Sequence, residues 1–227
     1  MNETPLAKLS AVPSAKSLGI LRWATVVFWD FDGVVKESLE VKAQCFERLF
    51  RPFGQSVASR VRSHHDAHGG MSRFDKVPLY LHWAGQPATE ERVQEYCDRF
   101  GAEVRQSVID SPWVPGVESY LRGNCDRQTF VLVSATPKDE LLQIVEALSL
   151  RSCFRGVQGA PTPKATAIAT SLADLHIPAD RCLMVGDAEA DVEAARVNGV
   201  PFLLRATQHN LVLQKQLPGR VLSDFSE

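Results

Sequence analysis

The stretch Thr25-Val-Val-Phe-Trp-Asp-Phe-Asp-Gly-Val-Val35 joins a short apolar run to two carboxylates. The part from Thr25 to Trp29 is β-branched and aromatic, without a charged position, which is typical of a parallel strand buried on both faces. The run ends at Asp30, and Asp32 and Gly33 follow at once. The stretch therefore predicts an inner strand whose carboxyl end carries two acidic side chains beside a sharp turn.

Three more apolar runs predict strands later in the chain. They span residues 129–133, 182–185 and 200–204. Helical patterns separate the runs, and this alternation predicts an α/β fold with a Rossmann-like, doubly wound parallel sheet. Ligands bind at the carboxyl ends of the strands in such a sheet, so Asp30, Ser134 and Asp187 are expected to converge there.

The helices between the strands have recognisable ends. Thr136 precedes a proline and two charged residues, which predicts that its side chain caps a helix beginning at Pro137. Residues 164–175 carry an apolar face at helical spacing, and residues 191–197 end at an Asn-Gly pair, a common C-terminal signal.

Residues 37–111 differ in character from both flanks and contain no convincing strand. Two amphipathic patterns, at residues 41–50 and 93–108, predict helices there. The predicted organisation is a Rossmann-like core of residues 1–36 and 112–227 with an inserted α-helical cap domain of residues 37–111. Because the insertion follows the first strand directly, we expect it to lie over the crevice.

Composition limits the class of protein and partner. The 227 residues are 44% hydrophobic and carry a net charge of −2, which gives no basis for binding nucleic acid or an anionic membrane. No apolar run approaches the ~18–20 residues of a membrane helix, and no signal peptide is recognisable. Five widely spaced cysteines without a Cys-x-x-Cys pair predict reduced thiols. We expect a cytoplasmic protein, either a monomer or a homodimer, with neither nucleic acid nor membrane as its partner.

The carboxylates at the strand ends indicate chemistry with a metal ion. Asp30 and Asp32 repel each other if they lie close together, unless a cation is present or one of them is protonated. Such a pair suits a nucleophile and a general acid/base, although the same pair could merely cap loops. Asp187 and Asp191 add oxygen ligands of the kind that Mg²⁺ prefers. Glu189, between them, could face the metal or the solvent.

Groups that bind anions are expected at the same edge of the sheet. Ser134, Ala135 and Thr136 offer a hydroxyl and backbone N–H groups at a predicted helix start. Lys164, at the start of the next predicted helix, offers a positive charge.

With these motifs, the chain resembles the haloacid dehalogenase-like (HAD) hydrolase superfamily over about residues 25–205. It is similar to the type 1 capped phosphatase branch, which includes phosphoglycolate phosphatase-like and β-phosphoglucomutase-like proteins. The four motifs of the superfamily occur in order as Asp30-Phe-Asp-Gly-Val, Ser134, Lys164 and Gly186-Asp187-x-x-x-Asp191. The resemblance implies Mg²⁺ as the cofactor and a small phosphorylated metabolite as the partner.

The resemblance also implies a role for each catalytic residue. Asp30 would attack the phosphorus and form an aspartyl-phosphate, while Asp32 would protonate the leaving oxygen and later deprotonate water. Ser134 would hydrogen-bond the transferring phosphoryl group. Lys164 would neutralise charge between that group and Asp30, although it is followed by Ala165 where proline is commoner. The presence of Asp32 favours phosphoryl transfer over dehalogenation.

The implied metal site has four contributors. Asp30 and Asp187 would ligate Mg²⁺ through their side chains, and Asp32 would do so through its backbone carbonyl. Asp191 would act through water or indirectly.

The insertion contains a segment that resembles the substrate-specificity loop of this branch. Gly69-Gly70-Met71-Ser72-Arg73 permits a close approach to a ligand, and Arg73 can fork onto a phosphate or carboxylate. The alternative for Arg73 and Lys76 is a solvated helix face, because a helix start is also predicted at Ser72. The residues expected to contact the substrate are Gly33, Lys42, Gly70, Ser72, Arg73, Lys76 and Ala135.

Two features of the insertion leave alternatives open. Lys42 stands where sugar-phosphate mutases of the branch carry a histidine, which counts against a mutase. His64, His65 and His68 allow a zinc site, but a polar loop leading into the glycine pair is the preferred interpretation, because a structural zinc site needs four ligands.

The expected function is a Mg²⁺-dependent phosphatase that acts on a sugar phosphate or a phospho-acid. The alternatives are a β-phosphoglucomutase-like sugar phosphomutase and a non-catalytic protein that binds a phosphorylated ligand. No role follows for the polar lead of about twenty residues.

Overall fold

The computed structural model describes residues 17–226, which fold into ten α-helices and six β-strands. The helices are α1 (Ser17–Trp23), α2 (Leu39–Phe50), α3 (Gln55–Ala67), α4 (Arg73–Trp83), α5 (Glu90–Asp110), α6 (Val117–Asn124), α7 (Lys138–Ala147), α8 (Lys164–Leu175), α9 (Glu189–Val197) and α10 (Leu211–Gln216). The strands are β1 (Val26–Trp29), β2 (Thr129–Pro137), β3 (Phe154–Ala160), β4 (Cys182–Gly186), β5 (Phe202–Arg205) and β6 (Val221–Leu222).

The strands form one parallel sheet in the order β3-β2-β1-β4-β5-β6. The chain builds outward from β1 on one side and then crosses over to build outward from β4 on the other. The crossover lies between β1 and β4, the place where sheets of this type form a ligand crevice. The α/β, Rossmann-like, doubly wound fold is therefore confirmed.

Strand β1 is central because both of its faces are apolar. Val26, Val27, Phe28 and Trp29 are all at most 2% exposed. Val26 and Phe28 pack into one hydrophobic cluster, whereas Val27 and Trp29 pack into another. Alternate side chains of a strand point to opposite faces, so this division places helices against both sides of the sheet.

Helices α2 to α5 form an insertion between β1 and β2 with a largely aromatic interior. Phe46 stacks on Phe100 with ring centroids 3.9 Å apart, and both Phe46 and Phe50 meet the edge of Tyr80. The two connections of the insertion to the sheet lie side by side, since the N–H of Glu37 donates to the carbonyl of Pro112 at 2.9 Å.

The ends of β2 and α7 differ from the sequence prediction. Strand β2 continues beyond Ser134 to Pro137, where it pairs with β3, and α7 begins at Lys138 without a side-chain cap. The prediction of Thr136 as a helix cap is wrong, because its hydroxyl contacts Lys42 and Asp32 instead.

Strands β3 and β6 were not predicted, and both occupy edges of the sheet. Strand β3 contains two glycines and partly exposed polar positions, so it lacks the continuous apolar run of an inner strand. Strand β6 is only two residues long.

Three further predictions concern membrane-spanning helices, the state of the cysteines and the polar N-terminal lead. No helix within residues 17–226 has the length and apolar character of a membrane span. The five cysteines are free thiols, and four of them are buried. Most of the polar lead, residues 1–16, lies outside the described residues, while Ile20 and Leu21 of α1 pack into the core.

Candidate active site

Three polar side chains meet where β1, β2 and β4 end. Asp30 follows Trp29, which is level with Leu132 of β2 and Val185 of β4. The N–H of Asp30 donates to the carbonyl of Val185 at 2.9 Å. The backbone at Asp30 is therefore still hydrogen-bonded to β4. Asp30, Ser134 and Asp187 are buried, and the predicted convergence of the three residues is confirmed.

Two glycines allow the backbone to approach the aspartates closely. Gly33 has a positive φ of 76°, and a Cβ atom there would lie 2.5 Å from Oδ2 of Asp187. A Cβ atom at Gly186 would lie 2.3 Å from Cβ of Asp191. Any larger residue at either position would displace a carboxylate of the site.

Lys164 connects two of the carboxylates. Its Nζ lies 2.9 Å from Oδ1 of Asp30 and 2.6 Å from Oδ1 of Asp191, and all three side chains are buried. The other oxygen of Asp191 accepts a hydrogen bond from the N–H of Ala188 at 3.1 Å. Burial opposes the charge on Lys164, but Asp191 and Asp30 outweigh it and hold the lysine pKa above its ordinary value. Lys164 is therefore a fixed positive charge beside Asp30.

Carboxylate oxygens of Asp30, Asp187 and Asp191 lie within 4.8 Å of one another, an arrangement that could hold a metal ion. Burial and the charge of Asp191 raise the pKa of Asp30 to about 7, and burial together with Asp30 raises the pKa of Asp187 well above its ordinary value. Both shifts reflect negative charge that Lys164 alone does not neutralise. Oxygen ligands with excess negative charge fit a hard divalent cation such as Mg²⁺.

Asp32 has different neighbours from Asp30. Oδ1 accepts a hydrogen bond from the hydroxyl of Ser38 at 2.6 Å, and Oδ2 pairs with the ammonium of Lys42 and accepts from the hydroxyl of Thr136 at 3.3 Å. Burial raises the pKa of Asp32, but Lys42 and Ser38 outweigh it, so the pKa lies below its ordinary value. Two carboxylates two positions apart therefore have different partners and opposite pKa shifts.

Sequence reasoning missed Ser38 and Thr136 as partners of Asp32. Ser38 occupies the cap position of α2, yet it makes no capping hydrogen bond, because its hydroxyl donates to the carboxylate of Asp32. Thr136 belongs to a different strand, 104 positions away in the chain. The sequence carries no local signal for either contact.

The predicted specificity residues Arg73 and Lys76 are buried, at 6% and 2% exposure. The alternative of a solvated helix face is therefore wrong. Arg73 forms a bidentate ion pair with Glu140 of α7, at 2.8 and 2.7 Å, and its guanidinium lies 4.6 Å from the ring centre of Phe100. Lys76 instead contacts His65, with 3.1 Å between Nζ and Nδ1.

The other expected substrate contacts lie in the same region. Ser72 caps α4 by accepting from the N–H of Phe74 at 3.3 Å. At Gly70, which has a φ of 79°, a Cβ atom would lie 2.9 Å from Cβ of Ala190 and 3.9 Å from Nζ of Lys164. Gly70 thus packs against the residues that follow β4. Ala135 lines the same cavity as Gly70.

The histidine cluster belongs to helix α3 and its end, not to a loop. The rings of His64 and His68 stack with centroids 4.0 Å apart, and Nδ1 of His64 lies 3.1 Å from the hydroxyl of Tyr80. Within residues 17–226, the only group of three side chains placed to hold a metal is the aspartate group. Glu189, which the sequence left open, is exposed to solvent.

The site encloses a small cavity of about 60 Å³ between the sheet and the insertion. Asp30, Asp32 and Lys164 lie on the sheet side, and Lys42 and Lys76 lie on the insertion side. A larger groove of about 910 Å³ adjoins it along α3, α9 and α10. The two spaces share Leu39, His65, Gly69, Met71 and Asp187 as lining residues.

Comparison with known proteins gives one family and several relatives. The family model described as haloacid dehalogenase-like hydrolase matches residues 27–204. A phosphoglycolate phosphatase from Pseudomonas savastanoi pv. phaseolicola is 21% identical over 208 residues, which are 88% of this chain and 76% of that protein.

Solved structures with the same fold cover most of the chain. A predicted phosphoglycolate phosphatase from Haemophilus somnus has a TM-score of 0.70 at 18% identity, with 89% of this chain and 95% of that chain covered. CbbY from Rhodobacter sphaeroides, in complex with xylulose-(1,5)bisphosphate, has a TM-score of 0.71 at 13% identity, covering 90% and 96%. β-Phosphoglucomutase from Clostridium difficile has a TM-score of 0.67 at 18% identity, covering 89% and 92%.

Proposed function

The chain belongs to the haloacid dehalogenase-like hydrolase family, and from this premise we propose that it is a Mg²⁺-dependent phosphatase. Its substrate is a small phosphorylated metabolite, either a sugar phosphate or a phospho-acid, and its reaction proceeds through an aspartyl-phosphate. The observation that carries the proposal is the placement of Asp30 and Asp32 on one cavity with separate cationic partners, Lys164 and Lys42.

Asp30 is the nucleophile of the first step. An Oδ–P bond forms as the bond between phosphorus and the leaving oxygen breaks, and Asp32 in its protonated form gives its proton to that oxygen. Lys164, 2.9 Å from Asp30, offsets the repulsion between the carboxylate and the phosphoryl group. The buried hydroxyl of Ser134 donates to a phosphoryl oxygen.

Asp32 acts as a base in the second step. It takes a proton from the water that attacks the phosphorus, the Oδ–P bond breaks, and phosphate leaves with Asp30 regenerated as a carboxylate. The contacts from Ser38 and Lys42 support this role, because they favour the ionised form of Asp32.

Asp30 and Asp187 would hold Mg²⁺ with their side chains, together with the backbone carbonyl of Asp32. Asp191 would support the site while paired with Lys164. When bound, Mg²⁺ would neutralise negative charge on the carboxylates and on the phosphoryl oxygens.

We propose that residues 37–111 act as a cap over a core of residues 1–36 and 112–227. Lys42, Gly70 and Lys76 of the insertion line the catalytic cavity, so the substrate is enclosed between the two parts. A site between the insertion and the sheet suits a small molecule better than a folded phosphoprotein. The phosphoglycolate in the name of one relative and the xylulose-1,5-bisphosphate bound to another are also small phosphorylated molecules.

Phosphate release across a panel of sugar phosphates and phospho-acids tests the proposal. Wild-type protein should release phosphate with Mg²⁺ and lose the activity with a chelator. Asp30→Asn should abolish release while the protein remains folded by circular dichroism.

Three results, obtained by product analysis, by ligand binding and by assays on phosphoproteins, would contradict the proposal. Sugar phosphate isomerisation stimulated by trace bisphosphate would identify a phosphomutase. Mg²⁺-dependent ligand binding without turnover would identify a non-catalytic protein. Faster release from phosphoproteins than from small metabolites would contradict the enclosed site.

A further inference from the structure

Lys76 is a buried amine on the wall of the catalytic cavity. Its side chain is 2% exposed and lines the same space as Asp30, Asp32 and Lys164. No carboxylate among residues 17–226 lies within 4 Å of its Nζ. Buried charges in proteins are normally paired, because an unpaired one costs several kcal/mol. The structure therefore places an amine at this wall whose protonated form has no counter-ion among the described residues.

His65 is the one hydrogen-bonding partner recorded for Lys76 in the described part of the chain. Nδ1 of His65 lies 3.1 Å from Nζ of Lys76. Burial and the nearby lysine lower the pKa of His65 well below its ordinary value, so the ring is neutral and accepts the hydrogen bond. A neutral acceptor orients the amine without cancelling its charge.

The other cations around the cavity already have anionic partners. Lys164 is paired with Asp30 and Asp191, Lys42 with Asp32, and Arg73 with Glu140. The resemblance predicts that Arg73 binds a phosphate or carboxylate of the substrate, but two nitrogens of its guanidinium donate to Glu140. Lys76 is left as the cation at this wall that is free to receive an anion from a ligand.

We propose that Lys76, oriented by His65, is the subsite for a second anionic group of the substrate. The substrate is then a phosphate ester that carries a carboxylate or a further phosphate, and not a singly phosphorylated neutral sugar or alcohol. This inference rests on the proposed function, because it concerns the part of the substrate that leaves with the oxygen. Because Lys76 and Asp30 line one cavity, we expect a short spacer between the two anionic groups.

The test uses three substrates that share one phosphoryl group and differ in the tail. They are 2-phosphoglycolate, with a carboxylate tail; ethylene glycol bisphosphate, with a phosphate tail; and 2-hydroxyethyl phosphate, with a neutral tail. We expect kcat/KM for at least one anionic tail to exceed that for the neutral tail by about 100-fold, mainly through KM. Whichever anionic tail is preferred identifies the carboxylate or the phosphate as the recognised group.

Lys76→Met should remove this preference by lowering kcat/KM for the anionic tail about 100-fold, while the neutral substrate changes by less than about threefold. His65→Phe should give a smaller loss in the same direction. Lys215→Met is the matched control, because Lys215 is exposed on α10 and lines neither cavity.

Equal turnover of the neutral and anionic substrates by wild-type protein would overturn the subsite and leave the proposed phosphatase intact. A preference that persists in Lys76→Met would also overturn it. Absence of phosphate release from all substrates, the sugar phosphates included, would instead contradict the proposed function itself.

Discussion

Lys42, on the first helix of the insertion, forms an ion pair with Asp32, which lies just past the central strand. Ser38, one helical turn earlier, donates to the other oxygen of the same carboxylate at 2.6 Å. Two contacts from one end of α2 therefore fix both oxygens of Asp32. The geometry of Asp32, the proposed acid/base group, depends on the position of this helix as well as on the sheet.

Lys42→Met should lower kcat by about 10- to 100-fold, because Asp32 loses the contact that orients it and favours its ionised form. Lys42→Arg keeps the positive charge and should retain more activity than the methionine variant. Steady-state kinetics at neutral pH on the best substrate of the panel measures the difference. A kcat within twofold of wild type in Lys42→Met would show that Asp32 does not need this partner.

Mg²⁺ should stabilise the folded protein, because it neutralises the buried group of Asp30, Asp187 and Asp191. At a free concentration of 100 times Kd, the free energy of unfolding should rise by about 2.7 kcal/mol. Asp187→Asn should be more stable than wild type without Mg²⁺ and gain less when the ion is added. Thermal unfolding with and without Mg²⁺ at constant ionic strength provides the measurement, and an equal gain in both proteins would rule out Asp187 as a ligand.

Glu140→Gln should lower the free energy of unfolding by about 3 kcal/mol, because it leaves the buried guanidinium of Arg73 without its anion. Asp139→Asn, on the exposed neighbour, is the control and should change it by less than about 0.5 kcal/mol. Urea denaturation measures both variants. A loss in Glu140→Gln no larger than in the control would mean that this ion pair is not needed for stability.

Gly101→Ala should destabilise the protein even though alanine favours helices over glycine by about 1 kcal/mol. Gly101 lies inside α5, and a Cβ atom there would stand 2.7 Å from Glu140 and 2.8 Å from Arg73. The ion pair between the insertion and α7 therefore passes directly over this glycine. Increased stability of the alanine variant in urea would show that the pair can shift at no cost.

Lys76→Met should stabilise the protein in a pH-dependent way. Burial and the charge of Lys42 lower the pKa of Lys76 from 10.5 to about 7, although Asp32 and Asp66 oppose the shift. Between these values the unfolded chain holds a proton that the folded chain lacks, so the stability of wild type rises with pH over this window. The gain from methionine should be about 5 kcal/mol larger below pH 7 than above pH 10. A gain that is independent of pH would contradict the shifted pKa, and Lys215→Met should show no such trend.

The inner strands and the aspartates were predictable because their signals are local. Strand β1 is apolar at every position and is followed at once by Asp30, and β4 is followed by Asp187 in the same way. The parallel sheet then brings the strand ends together without further information from the sequence. Strand β3, with two glycines and exposed polar positions at the sheet edge, carries no such signal.

The partners of the cationic side chains were not predictable, because they depend on tertiary contacts. Arg73 and Glu140 are separated by 67 positions, and nothing near Arg73 indicates that a carboxylate from α7 will occupy it. Lys76 lies only three positions after Arg73 on the same helix, but it faces His65 and the cavity. Which lysine or arginine stays available for a ligand is decided by such distant pairings.

The insertion begins and ends at adjacent points, with Lys36 bridged to Trp113 and Glu37 hydrogen-bonded to Pro112. An exchange of residues 38–111 for a different helical module would therefore leave the sheet intact. It would also leave Asp30, Asp187 and Asp191 in place. It would not leave Asp32 unchanged, because Ser38 and Lys42 would go with the exchanged segment. Any replacement of this module must therefore also rebuild the environment of Asp32, the proposed proton donor.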